Sequence, residues 1–170
     1  MTVKTHLDEI IAYKETIKDM VAQSQIVLAL LSNDENIEVD SNEAVDVMDQ
    51  SFFDYNYIDS TQTSIVPLIM VDVEIPSVPT GTIKDMYVFV QVAVPKTQMI
   101  LDTMKFAVKG NRKDNLLRQI DLLLNNSQEF GIGKLKLESV NVASVPDKYT
   151  STLLTYSIYD FARNRSVGNR

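Results

Sequence analysis

Met86-Tyr87-Val88-Phe89-Val90-Gln91-Val92-Ala93-Val94 is the stretch on which the reading of this chain turns. Every second residue, from Met86 through Val88, Val90 and Val92 to Val94, is apolar and mostly β-branched. Such side chains are stiff at χ1 and fit a pleated surface, and a period of two places them all on one face. The opposite face carries Tyr87, Phe89, Gln91 and Ala93, a mixed set. The pattern predicts an inner strand with one face on a core and the other partly covered. Pro95 ends it, because proline has no N–H to give a ladder.

The neighbouring segments follow from this strand. Upstream, Ser64 to Glu74 reads as a second strand, with Ile65, Pro67, Ile69, Val71 and Val73 on one face and Val66, Leu68 and Met70 on the other. Pro67 places its start at an edge or a bulge. Ile75 to Gly81 contains two prolines and reads as a rigid connector, either a loop or an outward arm. Downstream, the alternation of Ile100, Met104, Phe106 and Val108, interrupted by Asp102, predicts a strand over 99–108 that returns as a hairpin. Lys109-Gly110-Asn111 then turns into a helix, with Asn111 as its N-cap. Leu116, Leu117, Ile120, Leu123 and Leu124 give that helix one apolar stripe. Leu122 falls on the opposite side, beside Arg118 and Asn115. A lone exposed Leu is ordinary, and it is also what a helix presents to a partner.

Gly131-Ile132-Gly133 invites a phosphate-loop reading, but a dinucleotide fingerprint follows a strand and opens a helix, and this one does the reverse. The glycines suit a tight turn. Lys134 to Val142 is predicted as a strand whose apolar parity switches, which implies a bulge near Glu138-Ser139. A turn over Val145 to Lys148 leads to the last strand, Tyr149 to Phe161, with Leu154, Tyr156 and Ile158 on one face and Leu153, Tyr159 and Phe161 on the other.

Towards the N-terminus, Val3, Leu7, Ile10, Ile17 and Val21 recur at helical spacing over Thr2 to Ala22, with Lys14 in the one missing slot and Thr2 or Thr5 as a cap. Ser24 to Leu31 predicts a short, almost wholly apolar and therefore buried helix. Asn33 to Asp49 reads as acidic and irregular. Its alternating Asp34, Asn36 and Glu38 suggest a calcium loop, yet Val39 stands where that loop needs glycine and Val45 where it needs glutamate. Four aromatics, Phe52, Phe53, Tyr55 and Tyr57, then crowd one short stretch. They read either as rings pinning a loop to the core or as a contact loop.

The fold class is thus α+β: a mainly antiparallel sheet packed against an amphipathic helix, with N-terminal helices. The expected organisation is one domain over 1–170. It comprises N-terminal helices (1–32), an acidic and aromatic region (33–63), a sheet-plus-helix core (64–161) and a basic tail (162–170). A tail of that composition needs a partner to order it, and a neighbouring subunit is the first candidate.

The chain of 170 residues has 45% hydrophobic and 23% charged residues, one histidine and no cysteine. That composition suits a folded domain with a genuine core. Absence of cysteine excludes disulfides, thiol catalysis and a cysteine zinc site. The single histidine, His6, leaves Ser–His chemistry without support elsewhere in the chain. No apolar run approaches the ~18 residues of a membrane span, and acids occupy the place of a secretion signal's apolar core. Nothing points to catalysis, a cofactor or a metal. The net charge of −7 argues against general nucleic-acid binding. Its distribution is uneven: no Lys or Arg stands between Lys18 and Lys84, whereas from Lys84 onward 13 basic residues outnumber 8 acidic ones. These charges are either simply solvated or form two surfaces of opposite sign, which favour head-to-tail contact between copies.

Phe52 to Thr63, Asn115 to Asn125 with Phe130 to Leu135, and Leu154 to Phe161 resemble segments of neck and tail-terminator-like proteins of tailed bacteriophages of Gram-positive hosts. With the order of elements, the likeness spans most of 24–161. It implies a structural virion subunit at the head–tail junction, made in the host cytoplasm. Such a subunit forms a ring, typically a hexamer, that caps the tail tube and docks it to the head connector. Its partners are then copies of itself, the tail tube protein and the head-closure or connector proteins. DNA passes the lumen without specific binding, and no membrane is involved. A head-closure or adaptor ring is the alternative within this class, and a monomeric ligand-binding α+β domain the alternative outside it. The residues expected at the subunit interface are Glu38, Asp40, Glu43, Phe52, Phe53, Tyr55, Tyr57, Arg112, Arg118, Leu122, Arg163 and Arg165.

Overall fold

In the computed structural model, which describes residues 6–55, 65–76, 83–102 and 104–161, the central strand pairs on both sides over most of its length. The elements run α1 (His6–Ala22), α2 (Gln25–Ser32), α3 (Asn42–Ser51), β1 (Phe52–Phe53), β2 (Leu68–Glu74), β3 (Ile83–Pro95), a 3₁₀ turn (Lys96–Gln98), α4 (Arg112–Leu124), β4 (Ile132–Val142) and β5 (Tyr149–Phe161). The five strands form one sheet in the order β1-β2-β3-β5-β4, antiparallel except for the β1–β2 pair. The expected α+β architecture, with the N-terminal helices first, is what the chain adopts.

Side-chain parity sorts the sheet into two faces. Met86, Val88, Val90, Val92 and Val94 all have 0% exposure and pack under the helices. Val90 lies opposite Val71 on one side and Leu154 on the other, so each strand adds to the same layer. Ile17 and Val21 of α1, Val27 to Leu31 of α2, Met48 of α3, and Leu116, Ile120 and Leu124 of α4 complete that core. On the reverse face a smaller cluster gathers Leu68, Met70, Ala93 and Tyr149, flanked by Phe53, Val66 and Val145. Tyr87, Phe89 and Gln91 remain half-buried there.

Local chemistry fixes the element ends. Ser24 accepts from the Val27 N–H at the start of α2, and Asn33 ends that helix in the left-handed region at φ 65°. Asn111 accepts from the Asp114 N–H to cap α4. Gly131 and Gly133 take φ values of 57° and 99°, which glycine adopts without steric cost. The expected bulge is present: the β4–β5 register shifts between Leu137 and Ser139. Lys14, the charged member of the α1 stripe, reaches out to bond the Asp54 carbonyl at 2.7 Å and the Asp72 carboxylate at 2.8 Å, clamping α1 to the β1–β2 side.

Several expectations are corrected. Among the described residues of 99–108 no strand forms, and β3 has no hairpin partner there, because β2 and β5 already occupy its two edges. Asp102, the residue that interrupts the alternation, accepts from the Met104 and Lys105 N–H groups at 3.0 and 3.1 Å and holds a turn. Ile100 and Met104 are each 90% exposed. The segment 33–49 is not irregular throughout. Ser41 accepts from the Ala44 N–H at 3.1 Å and starts α3, which buries Ala44, Met48 and Ser51. Phe52 and Phe53 form the short β1 rather than a loop. Residues 65–67 precede β2 instead of belonging to it. Asn115 does not stand beside Leu122 on the outside. It is buried and donates to the Lys109 and Asn111 carbonyls, both at 2.9 Å. Leu7, in the expected α1 stripe, is 68% exposed. Thr2, Val3 and Thr5, residues 56–64 and 77–82, and the tail 162–170 lie outside the described residues.

Candidate subunit interface

The acidic residues expected at an interface sit on and before α3. Glu38 and Glu43 are exposed. Asp40, also exposed, adopts φ 65° and accepts from Gln23 Nε2 at 3.0 Å, which ties the entry of α3 to the end of α1. Outward from α3 point Glu43, Val45, Asp46 and Asp49, with Val45 54% exposed. A groove of about 210 Å³ runs between α1 and α3, floored by Ala44, Val45 and Met48 and rimmed by Lys18, Asp40 and Asp49.

The aromatic group divides. Phe52 is buried in the main core, and Phe53 is half-buried against the reverse-face cluster. Tyr55 is 52% exposed, its ring edge-on to Phe53 with centroids 5.7 Å apart. Tyr57 lies outside the described residues. The core-pinning reading holds for Phe52, whereas Tyr55 is about half exposed at the end of the stretch.

The basic group divides in the same way. Arg112 is 4% exposed and spent inside the fold. Its Nη1 donates to the Leu30 carbonyl at 2.5 Å, Nη2 to Asn33 Oδ1 at 2.5 Å, and Nε to the Gln98 carbonyl at 2.8 Å. Its backbone N–H donates to the Met99 carbonyl at 2.9 Å. Three of the five guanidinium N–H groups are thus engaged inside the fold, and Arg112 is a joint between α2, α4 and the segment after β3. Burial draws its guanidinium below the ordinary value by desolvation. A cation in the first turn of a helix opposes the helix dipole. That placement, shared with Lys113, is a sequence signal for a structural duty that the reading of Arg112 as a surface cation passed over. Arg118 and Leu122, one turn apart on α4, are both exposed, Leu122 by 65%. Arg163 and Arg165 lie outside the described residues.

A polar cleft of about 550 Å³ lies between the end of α2 and the segment after β3, lined in part by Arg112, Lys105 and Asp102. Its charged groups serve the chain itself: Lys105 Nζ donates to the Asn33 carbonyl at 2.9 Å, and Asp102 holds its own turn. Among the described residues no group of three or more His, Asp or Glu is placed to hold a metal ion. Two buried phenols are raised above their ordinary range. Tyr156 is shifted by burial first and then by the charge of, and hydrogen bond to, Asp121. Tyr149 is shifted by burial. Among the described residues, no helix is long and apolar enough to cross a membrane.

The helices follow the order of the strands beneath them. α3 packs on β1 and β2, α4 packs on β3 and β5, and α1 and α2 lie between. The acidic helix and the exposed Arg118–Leu122 face are therefore set apart on the helical layer. The family model for YomW matches residues 24–158, from the cap of α2 to the last core residue of β5. The chain belongs to the YomW family. That name is of the kind given to gene products of a Bacillus phage, and membership suggests a phage protein. The YomW match includes α3, α4 and the Arg112 joint, while α1 precedes it. No curated protein matches the chain.

Proposed function

We propose that this chain is a non-enzymatic structural subunit of a phage neck, a ring-forming tail terminator that caps the tail tube and docks it to the head connector. The observation that carries the reading is the separation of acidic α3 from the Arg118–Leu122 face of α4 across the helical layer. Surfaces of opposite sign at different places on one molecule match each other only between copies, and such heterologous contacts close into rings when the rotation allows. Membership of a phage-type family supports the setting. The charged groups of the polar cleft, engaged with their own chain, give a small substrate little to bind. An acidic subunit also keeps passing DNA from adhering, since like charges repel.

The test is electron microscopy of particles made without this protein. A terminator's absence leaves heads separate from tail tubes of uncontrolled length. Heads that leak DNA beside tails of normal length indicate the head-closure alternative. Normal joined particles overturn both.

A further inference from the structure

We propose that the polar cleft between the end of α2 and the segment after β3 is a binding site for one carboxylate group. Such a site is independent of the neck reading. Arg112, Lys105 and Asp102 share the wall of this cleft, with Val66, Pro67 and Ile100 beside them. Arg112 is 4% exposed, and the acceptors of its guanidinium, the Leu30 and Gln98 carbonyls and Asn33 Oδ1, are all neutral. The Lys105 ammonium likewise donates to a neutral acceptor, the Asn33 carbonyl. Among the described residues neither cation has an ion pair. A cation taken out of water carries a cost that neutral acceptors offset only in part. Asp102 is the one carboxylate of the lining, and the N–H groups of its own turn hold its Oδ1. Counted in full, it still leaves the lining with one positive charge in excess.

The unused donors suit that charge. One N–H remains on each of Nη1 and Nη2 of Arg112, and two remain on Lys105 Nζ. A guanidinium pairs with a planar carboxylate through two such bonds. A carboxylate cancels the excess charge once. A phosphate monoester, at about −1.5 to −2 near neutral pH, overshoots it and is repelled more strongly by Asp102. Val66, Pro67 and Ile100 offer apolar surface to the stem behind the carboxylate, and Ile100 is 90% exposed. A free organic acid and an acidic side chain of a second copy both carry this group.

Butyrate, one carboxylate on an apolar stem, is the probe, and butyramide is its neutral counterpart. Each is titrated into isotope-labelled protein while the Arg112 Nε–H signal is followed by NMR. Butyrate is expected to shift that signal saturably, and butyramide at equal concentration to leave it in place. Inorganic phosphate is expected to bind more weakly than butyrate. Lys105→Gln keeps a donor for the Asn33 carbonyl but loses the charge, and is expected to weaken butyrate roughly threefold. Asp102→Asn keeps the acceptor of its turn, removes a competing charge, and is expected to tighten butyrate by a similar factor. Both variants are checked for native circular dichroism. Dilution of the protein alone separates the two sources. A signal that moves on dilution, and that butyrate moves the same way, shows the carboxylate of a second copy in the cleft. A signal that stays still on dilution and moves only with butyrate shows a site for a free acid. A shift that grows without saturating, an equal response to butyramide, phosphate binding as tight as butyrate, or an affinity unchanged in both variants overturns the proposal.

Discussion

The two faces of the central sheet differ in how completely they are closed. Under the helices, the inward residues of β3 have no exposure and form one continuous core with all four helices. Among the described residues the reverse face seals a smaller apolar cluster around Leu68, Met70, Ala93 and Tyr149. Beside it Tyr87 and Phe89 stack at 6.5 Å, half in solvent. Each face also buries a phenol. Tyr156 on the helix side donates to Asp121 Oδ1 at 3.2 Å. Tyr149 on the reverse side encloses its Oη without a hydrogen bond of proper geometry, and only the Val66 backbone eases that cost in part. The helix side is finished as a core is finished, with polar groups matched. The reverse side holds a hydroxyl that burial leaves poorly matched.

The largest test of this contrast uses neighbouring residues. Val90→Asp places an unpaired charge in the closed core and is expected to cost several kcal/mol (about 3–5), a large share of a domain's stability. Phe89→Asp, one residue earlier and facing the other way, is expected to cost about 1 kcal/mol. Urea unfolding followed by circular dichroism compares them, and equal losses would mean that the two faces are equivalent. Next comes Arg112→Leu, which leaves the Leu30 and Gln98 carbonyls without their charged donor. A loss of roughly 2–3 kcal/mol is expected, and a change below 0.5 kcal/mol would show that water takes the place of the guanidinium.

Tyr156 gives a smaller effect with a pH signature. Its folded pKa lies above the unfolded value of about 10. The stability it contributes is thus complete below pH 10 and is lost as pH rises beyond it. Tyr156→Phe is expected to cost about 1 kcal/mol at neutral pH and to flatten the alkaline fall in melting temperature. An unchanged alkaline slope would contradict the assignment. The smallest effect runs the other way. Tyr149→Phe removes a poorly matched hydroxyl and is expected to raise stability by up to about 1 kcal/mol. A loss larger than that would mean that Tyr149 has a hydrogen-bond partner after all.

Most of the sheet was legible because strict alternation in β3 and β5 has few competing readings, and the predicted last strand coincides with the observed Tyr149–Phe161. Met99 to Val108 misled because period two was satisfied by residues on a turn. The sequence alone did not reveal that β3 had no edge to spare, since edge occupancy is a property of the whole sheet. α3 was hidden because Ala44 and Met48 are a weak apolar signal among acids, although Ser41 stood ready as its cap. Of the expected interface residues, the exposed ones, Glu38, Asp40, Glu43, Tyr55, Arg118 and Leu122, were legible as surface. Arg112 was not, because side-chain chemistry alone does not tell a solvated cation from one bonded to carbonyls some eighty residues away.

The strand order β1-β2-β3-β5-β4 has a consequence for biosynthesis. β3 and β4 are not neighbours, and the strand that joins them is the later product of the ribosome. Until Tyr149 to Phe161 has emerged, the valine face of β3 lacks its partner on one side and β4 has none to pair with. The nascent chain therefore carries an open edge on β3 and a wholly unpaired β4, a state prone to aggregation. Folding of the sheet, and any assembly that depends on it, waits on β5 as the closing piece.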